Sequence, residues 1–169
     1  MSGGTTQKEE LRQLVQRNKN NVYKMAYLYC KNHADADDIF QEVFLRYCKA
    51  KPEFQSLEHE KAWFLRVTIN CCKTLLKSAW FRKTTELDVE LVYNTPESQM
   101  LIEHIMALPP KYKIVIYLHF YEGYTIEEIS RMYGKNSSTM RTWLQRGKAM
   151  LKEILMKEEE LWNENSKSL

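Results

Sequence analysis

Apolar positions recur at helical spacing over most of the chain. Val22, Met25, Ala26 and Tyr29 form a first stripe, and Ile39, Phe40, Val43, Phe44 and Tyr47 form a second. The second helix has Asp35 as its expected cap and Asp37 and Asp38 in its first turn, where acids meet the positive end of the helix dipole. The period breaks over 51–60 around Pro52, which predicts a loop. Trp63, Phe64, Val67, Cys71 and Leu75 then predict a third helix from about Glu60 to Phe81. Residues 1–83 thus read as a helical bundle of roughly eighty residues, about the smallest size for a self-sufficient core.

The pattern then changes. In 84–98 Leu87, Val89 and Leu91 alternate with Asp88 and Glu90, which is strand-like, but no second strand is available for pairing. This stretch reads as an extended linker ending near Pro96. A second bundle, 99–156, begins with a short helix over Met100 to Leu108. Pro109 and Pro110 restart the chain, proline being suited to the first turn of a helix. Ile114, Val115 and Leu118 carry the next stripe up to Gly123. A helix over Thr125 to Met132, a turn at Tyr133-Gly134-Lys135-Asn136 and a helix from about Ser137 to Met156 complete it, and 157–169 reads as a flexible tail. The expected fold class is all-α: two small helical bundles joined by an acidic linker, the second a helix-turn-helix domain.

The hairpin over 125–151 carries the most chemistry. Thr125 followed by Glu128 is a capping box, Gly134 supplies a positive φ to end the first helix, and Ser137 is placed to cap the second. Met140, Leu144 and Leu151 point to the core. The opposite face presents Ser138, Thr139, Arg141, Thr142, Gln145, Arg146 and Lys148. Arg can bond guanine bidentately and Gln adenine in the major groove, while Ser and Thr reach phosphates or bases. An amphipathic hairpin with a solvated basic face is the plainer alternative.

Composition supports this reading. Hydrophobic residues make up 44% and charged ones 28%, with only 5 Gly and 4 Pro, so the chain can bury cores and favours helices. The net charge of +3 is unevenly spread: 1–83 holds 15 Lys/Arg against 9 Asp/Glu, while 84–98 holds 4 acids and no base. Two basic blocks with an acidic strap between them suit two surfaces that meet a polyanion. The polar start MSGGTTQKEELRQ has no secretory character and no apolar run reaches bilayer length, so a cytoplasmic location without membrane insertion is expected. Cys30, Cys48, Cys71 and Cys72 form no CxxC pair; they read as reduced, buried thiols, and no metal or cofactor is expected. His33, His59, His104 and His119 lack a nucleophile or paired carboxylates at motif spacing, so no enzyme is expected.

The segment LPPKYKIVIYLHFYEGYTIEEISRMYGKNSSTMRTWLQRGKAMLKEIL resembles region four of the extracytoplasmic-function (ECF) sigma factors of bacterial RNA polymerase. It keeps Leu108, Pro109, Lys111, Glu122, Gly123, Glu128, Ile129, Thr139, Leu144, Arg146 and Leu151 of that pattern. It departs at Ser130, Met140, Trp143 and Lys148, where the family usually has Ala, Val, Arg and Arg. HADADDIFQEVFLRYCKAKPEF and KAWFLRVTINCCKTLLKS resemble region two, through Asp35, Asp38, Gln41, Glu42, Phe44, Trp63, Arg66 and Asn70. Both motifs, in this order, cover about residues 10–156.

The resemblance implies a factor that directs core polymerase to promoters and assists DNA melting. Asp35, Asp38, Gln41, Glu42, Leu45 and Arg46 would dock on the clamp helices of the polymerase's largest subunit, and region four on the flap of the second largest. Phe54, Gln55, Leu57 and His59 would hold an unstacked base of the downstream (−10) promoter element. Arg66, Asn70, Lys73 and Lys77 would follow the single-stranded backbone. Region four would read the upstream (−35) element as duplex, and the acidic linker would act as an RNA mimic in the polymerase's RNA path. An anti-sigma protein is a further implied partner. The competing reading is a helix-turn-helix regulator whose N-terminal half senses a signal or dimerises.

Overall fold

The computed structural model describes residues 3–78 and 96–167. Among these it contains helices and no strand: α1 (Gly3–Cys30), α2 (His33–Ala50), α3 (Leu57–Lys77), α4 (Pro96–Met106), α5 (Pro110–Ile116), a π-helical turn (Tyr117–Tyr121), α6 (Ile126–Tyr133) and α7 (Ser137–Lys167). They form two compact units, α1–α3 and α4–α7.

In the first unit α1 packs on both α2 and α3. Leu14, Val22, Met25 and Tyr29 fall on one side of α1, so that the helix extends well upstream of the predicted stripe. Ile39 and Val43 of α2 and Phe64, Leu65 and Ile69 of α3 close the core. Burying a side chain the size of Phe64 stabilises by about 1.5–3 kcal/mol. Lys31 and Lys51 end α1 and α2 with positive φ, 61° and 42°, and their N–H groups bond the carbonyls of Tyr27 and Tyr47. Glycine is the usual residue in that conformation, and its absence hides both stops from the sequence.

Several boundaries differ from expectation. Asn32, not Asp35, caps α2: its Oδ1 accepts the Asp35 N–H at 2.8 Å while its Nδ2 donates to Asp35 Oδ2 at 2.7 Å. Ser56 caps α3 by accepting the His59 N–H at 3.0 Å, so the helix starts at Leu57 and the predicted loop shrinks to 51–56. Phe81 lies outside the described residues, as does the linker over 84–95. Its last residues, 96–98, belong to α4. Cys30, Cys71 and Cys72 are buried as expected, but Cys48 is exposed, because position 48 falls on the solvent side of α2.

In the second unit Ile105, Leu108 and Ile116 form a core against which Leu144, Leu151 and Ile154 of α7 pack. Helix α7 runs on to Lys167 through the segment expected to fray. Its residues 157–167 are all exposed, and Lys157 pairs with Glu153 at 3.1 Å, an i,i+4 contact that supports helix without a core. No described helix is long and apolar enough to cross a membrane.

Candidate nucleic-acid interface

The hairpin α6–α7 is fixed by local chemistry. Thr125 Oγ1 accepts the Glu128 N–H at 3.2 Å, and Glu128 Oε2 accepts the Thr125 N–H at 2.8 Å, completing the capping box. Gly134 takes φ +67° and donates to the Ser130 carbonyl. Asn136 rather than Ser137 caps α7, its Oδ1 accepting the Thr139 N–H at 2.8 Å. An amide side chain reaches N3 as readily as a hydroxyl does, so residue preference could not separate the two neighbours.

This frame orients α7 about its axis. Met140 is buried, with Leu144 and Leu151 half-buried on the same side, while Ser138, Arg141, Thr142, Gln145, Arg146 and Lys148 are exposed and Thr139 is half-buried. The predicted face is therefore assembled. Its members are held in part: Arg141 Nη2 lies 3.0 Å from Glu127 Oε1, and Lys148 Nζ sits 5.7 Å from the centre of the Phe120 ring. Arg146 hydrogen-bonds the Tyr112 side chain and holds its phenol below the ordinary value. Trp143 is half-buried, edge-on to Tyr133 at 5.5 Å, with Lys111 Nζ over its ring at 5.4 Å. Its bulk is thus directed along the hairpin and shapes the edge of the face.

Gly147 was not legible as a functional position. A Cβ there would come within 2.7 Å of Ile116 Cδ1. The glycine lets α7 approach Ile116 of α5 closely.

In the first unit the loop 51–56 is closed at both ends. His59 Nδ1 accepts the Gln55 N–H at 3.2 Å, a bond that aligns the exposed ring with the loop. Phe54 is half-buried, stacked on Tyr47 at 6.3 Å and edge-on to Trp63 at 5.9 Å. Gln55, Leu57 and His59 are exposed, Leu57 on the helix rather than in the loop. Trp63 is half-buried against Phe64, with the ring centres 5.0 Å apart. Arg66, Asn70 and Lys77 are exposed along α3, and Lys73 is half-buried.

On α2, Asp38, Gln41, Glu42 and Leu45 share one exposed side, Leu45 being 54% exposed. Arg46 Nε donates to Glu42 Oε1 at 2.8 Å. Asp35 stands apart: it is 5% exposed and its carboxylate is bound to Asn32, so it builds the helix start rather than the outer face. No group of three or more His, Cys, Asp or Glu with metal-binding geometry occurs among the described residues.

The family described as Sigma-70 region 2 matches residues 14–82, and Sigma-70, region 4 matches residues 98–151. RNA polymerase sigma factor SigV of Bacillus subtilis is 30% identical over 146 residues, covering 83% of this chain and 88% of that protein. ECF RNA polymerase sigma factor SigE of Mycolicibacterium smegmatis is 27% identical over 158 residues, 86% of this chain and 61% of that one. Among solved structures, sigma factor RpoE from Bartonella quintana, in complex with the anti-sigma factor NepR, superposes with TM-score 0.64 at 18% identity over 88% of this chain and 96% of that one. CnrH, in complex with the cytosolic domain of CnrY, gives 0.62 at 19% over 89% and 90%. At these identities the two structures speak for the fold.

Proposed function

The chain belongs to the sigma-70 family and is an RNA polymerase sigma factor of the ECF type, and from that premise we propose how its surfaces divide the work. The second unit binds the upstream element through Ser138, Thr139, Arg141, Thr142, Gln145, Arg146 and Lys148. Arg141 and Gln145 supply base readout, and Arg146 and Lys148 phosphate contact. The first unit holds the opened downstream element between Phe54, Gln55, Leu57 and His59, with Arg66, Asn70, Lys73 and Lys77 along the backbone.

Asp38, Gln41, Glu42, Leu45 and Arg46 dock on the polymerase clamp helices. An exposed leucine ringed by acid and amide groups has the apolar centre and polar rim of a protein interface. In the second unit a cavity of about 620 Å³, lined by Leu101, Phe120, Leu151, Leu155 and Met156 among others, suits an apolar helix such as the polymerase flap would offer. Promoter DNA, core polymerase and an anti-sigma protein are the partners. The subunit supplies specificity in the cytoplasm while polymerase performs the chemistry. The acidic linker, with Glu86, Asp88 and Glu90, enters the RNA path.

The observation that carries this reading is the orientation of α7, whose buried Met140 and Gly147 turn the Arg141–Gln145 row to solvent. The test is run-off transcription with reconstituted holoenzyme on promoters selected from genomic DNA. Co-purification with core polymerase and promoter-specific transcripts support it. A chain that binds duplex DNA alone and never joins polymerase would overturn it.

A further inference from the structure

Glu60, in the first turn of α3, is 6% exposed, and Asn18, in the middle of α1, is 2% exposed. Glu60 accepts Arg17 Nε at 3.1 Å on one carboxylate oxygen and Arg17 Nη2 at 2.9 Å on the other. Asn18 Nδ2 donates to Glu60 Oε1 at 2.6 Å and to the Leu14 carbonyl at 3.0 Å. The Glu60 N–H bonds the Ser56 carbonyl at 3.0 Å. One residue thus closes the exit of the loop 51–56 through its backbone and ties it to α1 through its side chain.

Stability alone does not account for this arrangement. Removing a carboxylate from water offsets much of its attraction to Arg, and apolar pairs of similar volume often serve as well or better. Two parallel N–H···O bonds do supply direction. Glu60 follows His59 in sequence, and Arg17 and Tyr47 line one cavity. Tyr47 in turn stacks on Phe54 with the rings 14° apart.

We propose that the Arg17–Glu60–Asn18 cluster is a positioning device for the loop that holds the downstream element. It sets the register of the first turn of α3 and, through Tyr47, the tilt of Phe54, so that Gln55 and His59 meet the unstacked base at fixed positions. This rests on the reading of that loop given under Proposed function.

The experiment uses holoenzyme and a fork-junction duplex whose single-stranded non-template segment is randomised, followed by sequencing of the bound fraction. The double variant Arg17→Met/Glu60→Leu is expected to have a modestly lower thermal midpoint, because the buried Asn18 amide loses one acceptor, and to keep its upstream preference. Its enrichment at the most selective single-stranded position should fall about tenfold, the worth of one base contact. Glu60→Gln, which keeps the side-chain volume, should show the same flattening and covers the case in which the double variant does not fold. An unchanged enrichment profile in both would overturn the proposal. Gln55→Ala separates the loop's own contact with the base from its positioning by Glu60. If it flattens the profile while the Glu60 variants do not, only the positioning role falls. If it also changes nothing, the loop reading falls and takes the positioning role with it.

Discussion

Arg141 of α7 lies 3.0 Å from Glu127 of α6, Nη2 to Oε1, and both side chains are more than half exposed. An exposed pair of this kind contributes no more than about 1 kcal/mol. Arg141 is therefore parked beside the hairpin rather than locked there. Glu127→Ala should leave the thermal midpoint nearly unchanged and raise affinity for upstream duplex of any sequence, because an acid leaves the phosphate-facing side. Arg141→Ala should relax preference at particular upstream positions by roughly 1–3 kcal/mol, read by competition binding with holoenzyme. An intact preference in Arg141→Ala would mean that this side chain reaches no base edge.

Lys148 differs in kind. Its ammonium lies over the Phe120 ring, at the end of the face away from the α7 N-terminus. Lys148→Ala should weaken binding across all sequences and lower the slope of log affinity against log salt by about one. A sequence-dependent loss with an unchanged slope would instead place Lys148 in the groove.

Gly147 tests the seat of the recognition helix. A side chain there meets Ile116 Cδ1 at 2.7 Å, Ile116 Cγ1 at 3.2 Å and Tyr112 Cβ at 3.3 Å, and Ile116 is itself buried. Gly147→Val should cost about 1–3 kcal/mol of stability by overpacking. Adding Ile116→Ala should recover part of that loss in denaturant melts. If the second substitution made the melt worse by its full separate cost, the two residues would not be in contact as described.

Glu60 gives a pH signature. Burial raises its carboxyl pKa, but hydrogen bonds from Arg17 and then Asn18, with the Arg17 charge, more than offset this and hold it below the ordinary value. The ionised form therefore stabilises the fold above the unfolded value of about 4.3. That contribution fades as pH falls through the lower folded value. Wild-type protein should melt above Glu60→Gln near neutral pH, and the two midpoints should converge on acidification. Parallel curves would show that Glu60 titrates alike in both states.

Much of the candidate interface was legible because it rests on local rules. The capping box at Thr125 and Glu128, the positive φ of Gly134 and the inward row of Met140, Leu144 and Leu151 follow from residue type and a spacing of 3.6, and all are present. Boundaries were less so. Asn32, Ser56 and Asn136 each take a cap from a neighbour or shift a helix start, since several adjacent polar residues can reach the same N–H.

The sequence by itself determined the all-helical class, the inward rows of α1 and α7, and the family, since these depend on periodicity and on motifs read in order. Tertiary structure alone decided which polar groups left the surface. Glu60 crossed to Arg17 and Asn18 some forty positions away, and Gly147 let α7 settle against Ile116. The reason is physical: a carboxylate or a missing Cβ acquires its meaning from what packs against it, and chain order does not specify those partners.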